Sequence, residues 1–241
     1  MTQSFDETLG KLREVHNIDR REQCTIVSAN GGCAFVTDPA NPHLGGNLEG
    51  GDPGTRYDRC VWPWALERFS PSSMLDVGCA EGYVVRWFKD HQVDSFGVDG
   101  LPFNVECARR SQISAAVHDL TTGPYVHPTP LDLIWCCDVM EHIAEEFLPN
   151  VMATFQQAPV VLLTTGTDLH AAEGWHHVTN KPESFWVAWM KRGGFELDKD
   201  ATTEARGRCE GGWFKHLGHV FIRAKSQTAP FEPTTGRGTA A

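Results

Sequence analysis

The run Met74-Leu75-Asp76-Val77-Gly78-Cys79-Ala80-Glu81-Gly82, followed by a second short run that ends at Val98-Asp99, constrains this chain more than any other feature. An apolar stretch ends in an acid and a turn of small residues. A helical stretch follows, then another apolar stretch that also ends in an acid. That order describes a strand–helix–strand crossover between parallel strands. Gly78, Ala80 and Gly82 sit in the turn, where only small residues let a ligand approach the backbone closely.

The rest of the chain repeats the alternation. Strands are predicted over 73–77, 95–98, 113–117, 131–136 and 159–163, with helices over 82–90, 103–110, 143–155 and 183–191. Pro149 is expected to break or kink the third of these helices. The 131–136 strand is unusually apolar and so belongs at the centre of a parallel sheet. Gly193-Gly194 ends the 183–191 helix, and 195–197 and 217–223 read as a closing pair of strands. Ahead of the first strand, 56–69 reads as a helix. The expected fold is α/β, a mostly parallel Rossmann-like sheet with an antiparallel C-terminal strand and helices on both faces. Ligands bind such sheets beyond the carboxyl ends of the strands, near the change in strand order.

Three segments follow from this reading. Residues 1–55 form an N-terminal cap or flexible extension, because the run Asp38-Pro39-Ala40-Asn41-Pro42-His43-Leu44-Gly45-Gly46-Asn47 has the composition of loops. Residues 56–226 form the main domain, and 227–241 a disordered tail.

With 241 residues and 41% hydrophobic content, the chain can bury a real core. It has no uninterrupted apolar run of about 18 residues and no apolar leader, which points to a cytoplasmic protein. The eight cysteines include no CxxC pair, so they read as reduced, and a cysteine zinc site is disfavoured. A formal charge of −10 disfavours a broad grip on nucleic acid, whose non-specific affinity rests on Lys and Arg.

The acid followed by Gly78, Ala80 and Gly82 resembles the first motif of class I S-adenosylmethionine-dependent methyltransferases, with Ala80 in place of the middle glycine. The alanine methyl is tolerable if the backbone there keeps a common conformation. The resemblance implies a cofactor site made of Asp76, Gly78, Cys79, Ala80, Gly82, Asp99, Gly100, His118, Asp119, Leu120 and Asp138. In it Asp76 lies by the methionine moiety and Asp99 accepts from both ribose hydroxyls. Asp119 accepts from the adenine amino group, with Val117 or Leu120 against the ring. Three acids suit a cationic sulfonium and would repel the pyrophosphate of a dinucleotide.

After the fourth strand, Asp138-Val139-Met140-Glu141-His142 resembles the loop that passes beneath the sulfonium in many small-molecule methyltransferases. A second cluster, Trp175-His176-His177, follows the fifth strand. Methyl transfer to an alcohol needs an aligned acceptor and a route for its proton. His142, His176 and His177 are therefore the catalytic candidates. Glu141, His142 and His177 also make an oxygen/nitrogen ligand set for a divalent metal such as Mg or Mn. Trp175, Asp168 and Glu173 are candidate acceptor contacts, while Trp186 and Trp189 read as helix core.

From Gly45 to about Arg223 the chain resembles bacterial and viral glycan or sugar O-methyltransferases. The match rests on Gly45-Gly46-Asn47 through Gly51-Asp52-Pro53-Gly54-Thr55, on His118-Asp119 to Thr122-Gly123-Pro124, on His176-His177-Val178, and on Gly194-Phe195. Thr179 stands where that loop usually has asparagine. The resemblance implies a small-molecule or glycan acceptor, with in-line transfer to a sugar hydroxyl. A second resemblance is to metal-dependent RNA 3'-terminal ribose 2'-O-methyltransferases, through Asp138, Glu141, His142 and His176 or His177, with Asp138 as a shortened first ligand. A non-catalytic scaffold of the same fold is the third reading.

Overall fold

The computed structural model describes residues 25–28, 34–38, 41–48, 58–167 and 176–224. Its centre is a seven-stranded sheet formed by β4 (Ser73–Val77), β5 (Asp94–Asp99), β6 (Ala115–Val117), β7 (Leu133–Cys136), β8 (Val160–Thr164), β9 (Phe195–Leu197) and β10 (Gly218–Arg223). The spatial order is β6-β5-β4-β7-β8-β10-β9. β4 to β8 run parallel, whereas β10 pairs antiparallel with both β8 and β9. The strand order reverses between β4 and β7, which fixes where a ligand crevice forms. This is the expected fold class.

The two faces of the sheet can be read from side-chain alternation. Ile134 and Cys136 of β7 join Val161 and Leu163 of β8 in a core with Phe155, Trp186, Trp189 and Met190. Leu133, Trp135 and Leu162 point the other way, onto Trp62, Phe88, Ala205 and Phe214. β7 and β8 are therefore buried at every position, as central strands should be. Trp186 and Trp189 are 0% and 6% exposed, which places both in the core.

The helices are α1 (Val61–Phe69), α2 (Tyr83–Asp90), α3 (Pro102–Arg110), α4 (Leu148–Phe155), α5 (Glu183–Arg192), α6 (Lys199–Arg208) and α7 (Trp213–Leu217). Three differ from expectation, one of them α7, a short helix where none was predicted. The predicted 143–155 helix forms only over 148–155, as α4, after single 3-10 turns at Met140–His142 and Glu145–Phe147. Pro149 lies in the first turn of α4, where its missing N–H costs nothing, so it starts this helix instead of kinking it. α6 was not foreseen. It buries only Ala201, Thr202 and Ala205, and Asp198 caps it by accepting from the Ala201 N–H at 2.9 Å.

The N-terminal segment also departs from the loop reading. β1 (Thr25–Ser28), β2 (Ala34–Asp38) and β3 (Asn41–Leu48) form a separate antiparallel sheet in the order β1-β2-β3. The Gly45-Gly46 pair lies opposite Thr37 and Val36, so pairing within the β2–β3 hairpin overrides a loop-like composition. The expected tail at 227–241 lies outside the described residues, as does most of 1–55. Among the described residues, no helix is long and apolar enough to cross a membrane.

Candidate active site

The turn after β4 is built on left-handed backbone. Gly78 has φ 77° and Gly82 has φ 80°, and a Cβ on Gly78 would run into Val139. The N–H groups of Gly78 and Cys79 both donate to the Val98 carbonyl, at 2.8 and 3.0 Å, which pins the turn to β5. Ala80 has φ 45°, so it leaves the common conformation that its methyl group was expected to keep. It carries the strain that a glycine would avoid. The Cys79 side chain packs beside Gly97 of β5, among Val85, Val105 and Ala108.

Asp99 organises the second strand end. Its Oδ2 accepts from the Ala80 N–H at 2.9 Å, and its Oδ1 accepts from the Leu101 N–H at 2.8 Å and Asn104 Nδ2 at 3.1 Å. A carboxylate offers about four lone-pair positions, so much of its capacity already holds the turn and the start of α3 together. Asp76 is 2% exposed, and its Oδ2 has no hydrogen-bond partner among the described residues. Such a buried oxygen calls for a polar or cationic ligand.

At the third strand end, Asp119 Oδ1 accepts from the Thr121 N–H and hydroxyl, both at 2.8 Å. Its Oδ2 lies 3.0 Å from His43 Nε2 of β3. No sequence pattern pointed to that partner. A Cβ on Gly100 would meet Leu44 Cδ2 and the His118 carbonyl, so β3 also leans on the residue after Asp99. His118 Nε2 lies 3.0 Å from the Gly123 carbonyl, and Leu120 is 7% exposed, with its carbonyl accepting from Asn150 Nδ2 at 2.7 Å.

The loop after β7 lies across the switch point. Asp138, at φ 56°, donates its N–H to Thr164 Oγ1 at 2.8 Å, and its Oδ1 accepts from the same hydroxyl at 3.2 Å. The ligand atoms of Glu141, His142 and His177 all lie within 4.8 Å of one another. The two imidazoles meet edge to face. Two backbone bonds fix this approach, as the N–H groups of Val178 and Thr179 donate to the Glu141 carbonyl at 2.8 and 3.0 Å. His176, at φ 54°, is not a member of that three-residue cluster. Burial, then the nearby His43, lowers its pKa. Asp168, Glu173 and Trp175 lie outside the described residues.

The buried carboxyls shift upward, whereas the more exposed Asp119 is lowered. Burial, then the charge of Asp99, holds the Asp76 carboxyl well above the usual range. Burial also raises Asp99, against the pull of its three donors. Burial and the charges of Glu141 and Asp58 raise Asp138. Burial takes Glu141 to about 7. Asp58, which the sequence reading missed, lies just ahead of α1 and is 4% exposed. Burial pushes it to about 6 although it accepts from the Phe214 N–H. Burial makes ionising these carboxyls costly, so a cation bound beside them is favoured and an anion disfavoured.

Residues 55–198 match the family model described as a methyltransferase domain. The chain belongs to that family. It is an S-adenosylmethionine-dependent methyltransferase with the class I fold. No curated protein matches its sequence. Among solved structures, the methyltransferase is similar to DesVI of Streptomyces venezuelae (TM-score 0.57, 15% identity, covering 72% of this chain and 93% of that one). It is also similar to the sugar N-methyltransferase KedS8 of Streptoalloteichus sp. ATCC 53650 (TM-score 0.56, 15% identity, 73% and 90% covered). NodS, an N-methyltransferase of Bradyrhizobium japonicum WM9 solved with S-adenosyl-L-homocysteine, matches at TM-score 0.55 and 16% identity, with 72% and 89% covered.

Proposed function

We propose that this methyltransferase transfers a methyl group to a sugar hydroxyl of a glycan or nucleotide sugar. The observation that carries the reading is the convergence of Glu141, His142 and His177 beyond the carboxyl end of β7. Nitrogen acceptors such as amines are nucleophilic once neutral, whereas a hydroxyl needs help with its proton. A carboxylate and two imidazoles at the acceptor end of the cleft suit an alcohol. KedS8 acts on a sugar, although at nitrogen.

Bound S-adenosylmethionine supplies an electrophilic methyl group on a cationic sulfonium. The orphaned Asp76 Oδ2 and the Gly78 cradle fit such a ligand. Asp76 faces the positive end, Asp99 takes ribose hydroxyls, and Asp119 with Leu120 takes the adenine. Asp138 and the turn residues Cys79, Ala80, Gly82 and Gly100 shape the floor, with His118 at its edge. His142 or His177 accepts the proton of the acceptor hydroxyl, and Glu141 steadies the resulting imidazolium. Trp175, Asp168 and Glu173 contact the acceptor. The segment containing β3 caps the adenosine end.

The same donor set, one carboxylate oxygen and two imidazole nitrogens, fits a divalent metal such as Mg or Mn. Glu141 Oε2 is buried without a partner among the described residues. Glu141, His142 and His177 would hold the ion, which would acidify the acceptor hydroxyl.

Ribose 2'-hydroxyls at RNA 3' ends are the second reading, favoured by the same three residues with Asp138 beside them. The net charge of −10 weighs against it. To test the proposal, labelled methyl is followed from S-adenosylmethionine into glycans, nucleotide sugars and short RNAs, with and without chelator. Label in a sugar fraction is expected. Label confined to RNA ends would replace the leading reading with the second.

A further inference from the structure

Cys60 sits at the N-cap of α1 and Cys209 at the C-cap of α6, far apart in the chain. Their sulfurs are 2.7 Å apart. That lies well inside the contact distance of two non-bonded sulfurs and a short step from a bond of about 2.05 Å. We propose that Cys60 and Cys209 are a redox modification site, closing to a reversible disulfide that staples α1 to α6.

The surrounding structure is already arranged for closure. Val61 and Ala65 of α1 pack in one core with Ala201, Ala205 and Cys209. Trp64 Nε1 donates to Glu204 Oε2 at 3.3 Å, and Arg68 lies 4.0 Å from Asp198. Just ahead of Cys60, Asp58 accepts from the Phe214 N–H at 3.1 Å. The two helices are therefore held in register from several sides, and little backbone movement is needed to bring the sulfurs together. Cys79 and Cys136 are likewise buried in packed clusters, and Cys107 is 4% exposed.

The chemistry uses a low-molecular-weight disulfide such as oxidised glutathione as oxidant. Cys60 is half-buried and Cys209 only 4% exposed, so Cys60 meets the oxidant first. Its sulfur attacks one glutathione sulfur, forming a mixed disulfide and releasing one reduced glutathione, which carries off the Cys60 proton. Cys209 then attacks the Cys60 sulfur and displaces the second glutathione, which leaves with the Cys209 proton. Two electrons pass to the oxidant, and two thiols become one disulfide. Burial, reinforced by the contact with Cys60, pushes the Cys209 thiol up, and Lys215 partly opposes this. Cys209 is thus the resolving thiol, and the second step is the slower one.

A staple between positions so distant in sequence restricts the unfolded chain strongly. Because the sulfurs already meet, closure leaves the cofactor cleft as it is. The test equilibrates the full chain in glutathione buffers of increasing oxidised fraction, traps thiols by alkylation and maps peptides by mass spectrometry. The expected product is a Cys60–Cys209 cross-linked peptide, reversed by dithiothreitol. It is accompanied by a rise in melting temperature of about 5–15 °C and by an affinity for S-adenosylhomocysteine within about twofold of the reduced form. Cys60→Ser should abolish the melting shift. Three results would overturn the proposal: both residues alkylated throughout the series, either one cross-linked to a different cysteine, or a bond that forms without stabilising the protein.

Discussion

His43 Nε2 lies 3.0 Å from Asp119 Oδ2, which ties the N-terminal three-stranded sheet to the third strand end of the catalytic sheet. Burial alone would raise Asp119, but the hydrogen bonds from His43 and Thr121 outweigh it and hold the carboxyl below its usual value. A depressed carboxylate adds stability above its ordinary pKa, and that stability is lost as pH falls through the folded value. The contact belongs to the neutral and mildly acidic range in which Asp119 is ionised.

If β3 caps the adenosine end, His43→Ala should weaken S-adenosylhomocysteine binding by roughly 3- to 10-fold, the scale of one partly exposed charge-assisted hydrogen bond. Isothermal titration calorimetry reads this directly. Tighter binding in the variant would show that His43 competes with the ligand for Asp119.

Asp99→Ala removes the acceptor for the Ala80 and Leu101 N–H groups together with the proposed ribose contact. The expected loss of cofactor affinity is on the order of 100-fold or more, since each buried donor left unmet costs about 1–3 kcal/mol. An affinity unchanged from wild type would remove Asp99 from the site.

Asp58 gives the pH dependence a definite sign. Its folded pKa, about 6, lies above the ordinary 3.8. The stability gained from its buried neutral form is complete below the ordinary value and disappears as pH rises through the folded one. That two-unit shift corresponds to about 3 kcal/mol lost between about pH 4 and about pH 6. Asp58→Asn keeps an acceptor for the Phe214 N–H and cannot ionise, so its urea-unfolding stability should lack this fall. A fall identical to wild type would assign the titration elsewhere.

Glu141→Gln and His177→Ala should lower kcat by roughly 10²- to 10⁴-fold while leaving cofactor affinity within about threefold. Equal losses in cofactor binding would move both residues from acceptor chemistry to the donor side.

What the sequence revealed was local. The turn from Asp76 to Gly82 and the acids at 99 and 119 could be read because apolar runs, small residues and strand-end acids are neighbours in the chain. The approach of His177 to Glu141 was anticipated only because both loops leave the same end of the sheet. The Gly- and Pro-rich stretch around His43 hid β3, which pairs in a hairpin with the neighbouring β2, and its contact with Asp119 is long-range. The polar sequence of α6 hid a helix whose buried face is made of small residues, although Asp198 was a readable N-cap. Asp58 carried no pattern at all, because its burial depends on the return of the chain at Phe214.

The most direct test of the account is to identify the atom that receives the methyl group. The full chain is incubated with methyl-labelled S-adenosylmethionine and a panel of sugar acceptors, some carrying amines, and the product is examined by NMR. The account predicts label on a sugar oxygen, lost in Glu141→Gln and His177→Ala. Label on a sugar nitrogen, undiminished in those variants, would contradict it.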